Sequence, residues 1–311
     1  MDALKSRLTM AACIVLIACL PSLGQKWAIP KAQNGRYSIA LDGQVMHINP
    51  AKGGRITSLI MDGEDFLTDS TVNDFNWGST FWFSPQKDWK WPPSAEIDNQ
   101  PYEAKVQGSA LVLTSRQDRK TGLVVIKEIS GNISKQSFII KYTIRNASDA
   151  EQRVAPWEVT RVHTGGTAFF PVGLDKARGG LLHSTEVQQG VFWYVYQKEK
   201  LPAKGDRQIY ADGSEGWLAQ LNGDRLLVKQ FPDITLEQTA PEEGEVELFA
   251  SELSVNGSGY VEIEHQGAYL PIKPGSSVSW TTTWLLRKVP AVVDRSAGSR
   301  SLADYVRGIV K

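Results

Sequence analysis

Cysteine is almost absent from this 311-residue chain: there are two, Cys13 and Cys19, both close to the start. Everything downstream therefore offers no disulfide, no thiol nucleophile and no thiolate metal site. Histidine is scarce too, at four residues, and no spacing of His163, His265 and Glu264 demands a metal, so neither metal nor cofactor is expected. Neither sign of charge is in excess. Lysine plus arginine and aspartate plus glutamate each number 34, which leaves no net field to draw in nucleic acid or an anionic membrane. With no phosphate loop, basic run or base-stacking motif, nucleic acid is excluded as a partner. Long helical patterns are missing as well, until the very end of the chain.

The first segment is set apart from the rest. Lys5 and Arg7 precede the apolar run LTMAACIVLIACL, and Ser22-Leu23-Gly24 closes it with small residues, the pattern of a secretory signal peptide over residues 1–24. The run is short of the roughly 20 residues that a membrane span needs. Two processing routes are open. Ser22 and Gly24 suit cleavage before Gln25, whereas Leu16-Ile17-Ala18-Cys19 resembles the bacterial lipobox, which would lipidate Cys19. The expectation is an exported protein, periplasmic or at the cell surface, whose only membrane contact is a lipid anchor at Cys19.

From residue 25 to 290 short runs rich in valine, isoleucine, threonine and aromatics alternate with turn residues, as half-buried strands do. RYSIALD, LVVIKEIS, SFIIKYTIR, VELFAS, YVEIEHQ and SVSWTTTWLL are typical, and Asn222-Gly223 between LAQL and DRLLV signals a hairpin. The pattern predicts one all-β domain, a large antiparallel sandwich, since β domains of this length commonly stay single. Residues 291–311 read as a polar linker and one short helix, with Leu302, Tyr305, Val306 and Ile309 at helical spacing, expected to dock loosely. One stretch breaks the rhythm: residues 73–102 read as a long, irregular connection carrying Trp77, Trp82, Trp89 and Trp91. Connections of that length tend to serve function.

Gly53-Gly54-Arg55-Ile56-Thr57-Ser58-Leu59, followed by Gly63 and Phe66-Leu67, resembles the opening of aldose 1-epimerases and their galactose mutarotase-like relatives. Val261-Glu262-Ile263-Glu264-His265, then Pro274-Gly275 and a threonine-rich strand, is similar to the closing hairpin of that superfamily. WGSTFWFSPQ, WKWPP, IDNQPY and PWEVTRV look like an uncharacterised exported bacterial branch of it. The resemblance spans nearly the whole chain after residue 24 and implies an antiparallel β-supersandwich, with the site on the concave face of the larger sheet. It also implies a carbohydrate ligand and acid/base chemistry on a sugar's anomeric centre. Two departures stand out. The 73–102 stretch has no histidine, and Trp157-Glu158-Val159-Thr160-Arg161 occupies the place where a central histidine motif would be sought.

Strand alternation sets Glu262 and Glu264 on one face, with Val261, Ile263 and His265 on the other. Either glutamate suits the base that the resemblance implies, their mutual repulsion raising one pKa. His163 is the candidate replacement acid/base, because histidine titrates in the useful range. Trp82, Trp89 and Trp91 are candidate stacking platforms for sugar C–H faces, with Gln86, Glu158 and Arg161 as polar partners, and Arg161 as a clamp for a carboxylate. Two rival readings stay open: a glycan-binding module without turnover, and a polysaccharide lyase or hydrolase built around Tyr194, Tyr196 and Arg161.

Overall fold

The computed structural model describes residues 26–311; the leader, with Cys13 and Cys19, lies outside the described residues. Two antiparallel sheets of 11 strands each are stacked face to face. The sheet that carries the site runs, in spatial order, Gln208–Ala211, Val246–Ala250, Tyr260–Gln266, Gln152–His163, Ser79–Ser84 and Arg55–Met61, then three N-terminal strands. Because both sheets have 11 strands, neither is the larger. Among the described residues, no helix is long and apolar enough to cross a membrane.

Alternation explains what fills the middle. Phe81 and Phe83, Val246 and Leu248, and Val261 and Ile263 point inward and join the main apolar cluster between the sheets, while their sequence neighbours project from the opposite face. The Asn222-Gly223 signal is a hairpin: Asn222 pairs with Arg225, and Gly223 at φ 63° takes the left-handed conformation that such a tight turn needs.

The aromatic stretch differs from its expected form. Its middle, Ser79–Ser84, is a strand deep inside the sheet, with every residue buried. Buried on both faces, STFWFS shows no alternation by which the sequence could declare it a strand.

A second apolar cluster lies on the outer face of the other sheet, where the C-terminal helix Arg300–Ile309 covers Trp193, Trp217 and Leu285 with Leu302, Ala303 and Val306. The helix is capped by Ser299, whose side chain accepts from the Leu302 N–H. Leu302 and Val306 are fully buried, so the helix is an integral part of the fold rather than a loosely docked tail. Leu302→Ala is expected to lower unfolding stability by about 2–5 kcal/mol, as large-to-small core changes do, read from the shift of the urea midpoint.

Candidate functional site

On the face of the site sheet that points away from the core, side chains from four neighbouring strands converge on a cleft of about 890 Å³. Ser79–Ser84 contributes Trp82, Gln152–His163 contributes Trp157, Tyr260–Gln266 contributes Glu262 and Glu264, and Val246–Ala250 contributes Glu247 and Phe249. The segment after the Trp82 strand adds Gln86 and Trp91, and Gln208–Ala211 adds Gln208 and Tyr210. The acidic residues of the late hairpin and the indoles of the early stretch thus share one hollow.

The indole wall is fixed from below. Trp82 sits edge-on to Trp157, Trp91 and Trp89 at centroid separations of 5.3, 5.8 and 6.0 Å. Its Nε1 donates to Asp98 Oδ1 at 2.8 Å, and Asp98 is also salt-bridged to buried Arg55 at 3.2 Å. Gly53 explains how Asp98 comes so near. With φ at 66° it has backbone freedom that other residues lack, and a Cβ there would stand 1.9 Å from the Asp98 carbonyl oxygen. The Gly-Gly-Arg sequence therefore seats the short helix Ala95–Asp98, and through Asp98 it orients Trp82.

The acidic floor has its own order. Arg161, fully buried, donates from Nε to Glu262 Oε1 at 2.7 Å, from Nη1 to Thr80 at 2.6 Å and from Nη2 to Asn76 at 3.3 Å. Burial pushes the Glu262 carboxyl up, and the Arg161 charge opposes that push. Glu264 stands well above the usual carboxylate range, from burial first and the Glu262 charge second. Glu247 is also held well above it, from burial first and the Glu264 charge second. Glu247 faces Glu264 across the paired strands, and Gln208 Nε2 donates to both, at 2.7 and 3.2 Å. One carboxyl is tied to a cation and two others are pressed to keep a proton. Such unequal surroundings for neighbouring carboxyls are what acid/base pairs require.

Several sequence expectations are corrected here. Glu158 lies on the opposite face of its strand from Arg161, because an odd separation reverses the side in a strand. It is fully buried between the sheets, where it accepts from Lys229 Nζ at 2.6 Å, Tyr142 Oη at 2.6 Å and Trp284 Nε1 at 2.9 Å. His163 ends the same strand exposed to solvent and does not line the cleft. Trp89 backs Trp82 and Trp157, and it faces a smaller cavity of about 230 Å³ behind the indole wall instead of the cleft. Arg161 is no free clamp for a carboxylate, since Glu262 already occupies it. Tyr194 lies in the inter-sheet core while Arg161 lies on the outer face, so the lyase set is not assembled. His265 does point away from the cleft as expected, 3.1 Å from Thr282 Oγ1, and burial holds it well below its ordinary pKa.

Sequence reasoning missed Glu247, Gln208 and Tyr260. The alternation in Val246-Glu247-Leu248 marks Glu247 as outward-facing, but only the strand pairing brings it opposite Glu264.

Glu245, near the end of a loop beside this sheet, gives a pH-dependent handle on stability. Burial, reinforced by Asp233, pushes its carboxyl from 4.5 to about 8. Below the lower value both folded and unfolded chains hold the proton. Between 4.5 and about 8 only the folded chain keeps it, so this group's contribution to stability falls as pH rises through that window. Glu245→Gln is expected to flatten the fall relative to the parent chain by about 1–3 kcal/mol between pH 5 and 8, measured by urea unfolding at both pH values.

The comparisons with known proteins agree with this architecture. The family model described as Domain of unknown function (DUF4380) matches residues 84–287, which includes both late glutamates and Arg161. No curated protein matches the sequence. Among solved structures, a candidate aldose 1-epimerase from Klebsiella pneumoniae superposes with a TM-score of 0.59 at 16% identity, over 88% of this chain and 83% of that one. A galactose mutarotase-like protein from Lactobacillus casei gives 0.56 at 11% identity, over 81% and 100%. A TPR-domain containing protein from Parabacteroides distasonis gives 0.58 at 14%, over 84% of this chain and 50% of that one, so the present chain spans half its length. At these identities the likeness establishes the fold, a galactose mutarotase-like β-sandwich.

Proposed function

This chain belongs to the DUF4380 family, and we propose that it binds a sugar in the indole-walled cleft and catalyses exchange of its anomers. The observation that carries the reading is the unequal pair Glu262 and Glu264 on one strand face, the first bound to Arg161 and the second pressed toward its protonated form. In this reading Glu262 takes the proton from the anomeric hydroxyl. Glu264 gives a proton to the ring oxygen as the bond from that oxygen to the anomeric carbon breaks. The open-chain aldehyde rotates, and the same two transfers run backwards to close the ring on either face. Trp91, exposed at the cleft, supplies a flat apolar surface for the sugar's C–H face, backed by buried Trp82, whose ring is covered by Arg161. The cleft volume of about 890 Å³ is in the range of small-molecule sites. Kinship of fold to mutarotase-like proteins supports the carbohydrate assignment by analogy.

The test is proton NMR of freshly dissolved monosaccharides with and without protein. Faster equilibration of the anomeric signals supports the proposal. Saturable binding without acceleration would instead favour a glycan-binding module, a reading motivated by the absence of histidine among the described residues lining the cleft. The proposal also includes export. Intact mass of the protein recovered from its host should match cleavage before Gln25 or lipidation at Cys19, and a retained Met1 would refute it.

A further inference from the structure

The cleft's charge and hydrogen-bond inventory points to a narrower class of sugar. Six carboxyl groups line it against three cations; Lys87 and Lys90 lie at its exposed rim, whereas Arg207 is largely buried. Lys87 is engaged by Glu242 at 2.6 Å, Arg207 approaches Glu252 at 3.9 Å, and Lys90 is exposed. Deeper in, Glu247 stands directly across from Glu264. Like charges so placed repel, and the amides of Gln208 and Gln266 approach them without a compensating charge. The hydrogen bond that Glu264 accepts from Gln208 is long, at 3.2 Å. Half-buried Glu243 stands beside Glu247, and its Oε1 accepts from the Gln86 N–H at 2.6 Å.

A ligand rich in donors and carrying positive charge answers this inventory, whereas an anion placed beside Glu243, Glu247 and Glu264 meets a surplus of carboxyl oxygens. Aromatic rings strengthen the preference, since Trp91, Tyr260 and Phe249 line the same space, and aromatic faces attract cations. A metal ion is a poorer answer. Among the described residues, no three acidic, histidine or cysteine side chains are grouped closely enough to hold one. Resting on the sugar-binding reading above, we propose that the cleft selects sugars bearing a free protonated amine. The ammonium is seated between Glu243 and Glu247, which leaves Glu264 to hold its proton for the ring oxygen, and uronic acids and sugar phosphates are rejected.

Isothermal titration at pH 6 with galactosamine, glucosamine, their neutral parent hexoses, the N-acetylated forms and the uronates tests this. A charge-assisted hydrogen bond in a partly desolvated site corresponds to about tenfold tighter binding of the amines than of the parents. N-acetylation should erase that gain, uronates should give no heat, and Glu243→Gln should bring the amine-to-parent ratio down toward threefold or less, about half the gain in free energy. Raising salt should weaken the amines more than the parents. Equal affinity for amines and parents, or tighter binding of uronates, would overturn the selectivity while leaving sugar binding intact. If no sugar in the set binds, the underlying reading falls and this inference falls with it.

Discussion

Glu264→Gln is expected to slow anomer exchange by about 10²–10⁴-fold, the contribution of one well-placed proton transfer, while sugar affinity changes little. The substitution keeps the shape of the side chain and an oxygen that can still accept from Gln208, but it removes the proton that the ring oxygen must receive. Glu262→Gln also removes a transfer, yet it is a less clean experiment. It strips Arg161, whose own side chain has no solvent access, of its anionic partner, so folding and chemistry would suffer together. Exchange rates from saturation-transfer NMR, with affinity measured in parallel, separate the roles. A Glu264→Gln protein that retains more than a third of the parent rate would remove Glu264 from the mechanism. The pH profile is a second readout. Because Glu264 must carry the proton and burial raises its carboxyl well above the ordinary range, activity should fall as pH rises past that raised pKa.

The second large effect concerns the inner face of the same central strand. Glu158 and Lys229 form an ion pair at 2.6 Å with neither side chain exposed. Thr160 also takes a hydrogen bond from Lys229, and burial lowers the lysine to about 8. Glu158→Ala leaves that ammonium uncompensated among Trp284, Tyr142 and the neutral His265. Removing one partner of such a pair costs about 3–5 kcal/mol. Lys229→Met alone should be similarly damaging. Glu158→Ala combined with Lys229→Met should cost clearly less than the two single changes added together, because no unpaired charge remains. Urea unfolding of the four proteins measures this, and strict additivity would show that the pair is not coupled.

Much of the fold was legible because alternation is a local signal. Val261 to His265 could be assigned to two faces from five residues, and the structure has Val261 and Ile263 in the core with both glutamates in the cleft. The same parity argument, applied to Glu158 and Arg161, would have separated them; placing them by motif position put Glu158 on the wrong side. Trp89 and Trp91 are two residues apart in irregular backbone, where no period tells which one faces a ligand. Glu247 was beyond local reasoning, since its meaning depends on Val246–Ala250 pairing with Tyr260–Gln266. The strand Ser79–Ser84 was hidden for the opposite reason: a segment buried on both sides carries no polar residues in rhythm.

The strand Gln152–His163 holds an anion on its inner face, Glu158, and a cation on its outer face, Arg161, each matched to a partner that cannot follow it across the sheet. A one-residue slip of this strand would drive Arg161 toward Lys229 and turn Glu158 toward Glu262 and Glu264, placing like charges together on both sides at once. Hydrophobic patterning alone would penalise such a shift weakly here, because Val159 and Val162 are interchangeable in character. The two charges thus act as a ratchet tooth and its catch, locking the central strand in the single alignment that leaves Arg161 beneath the cleft.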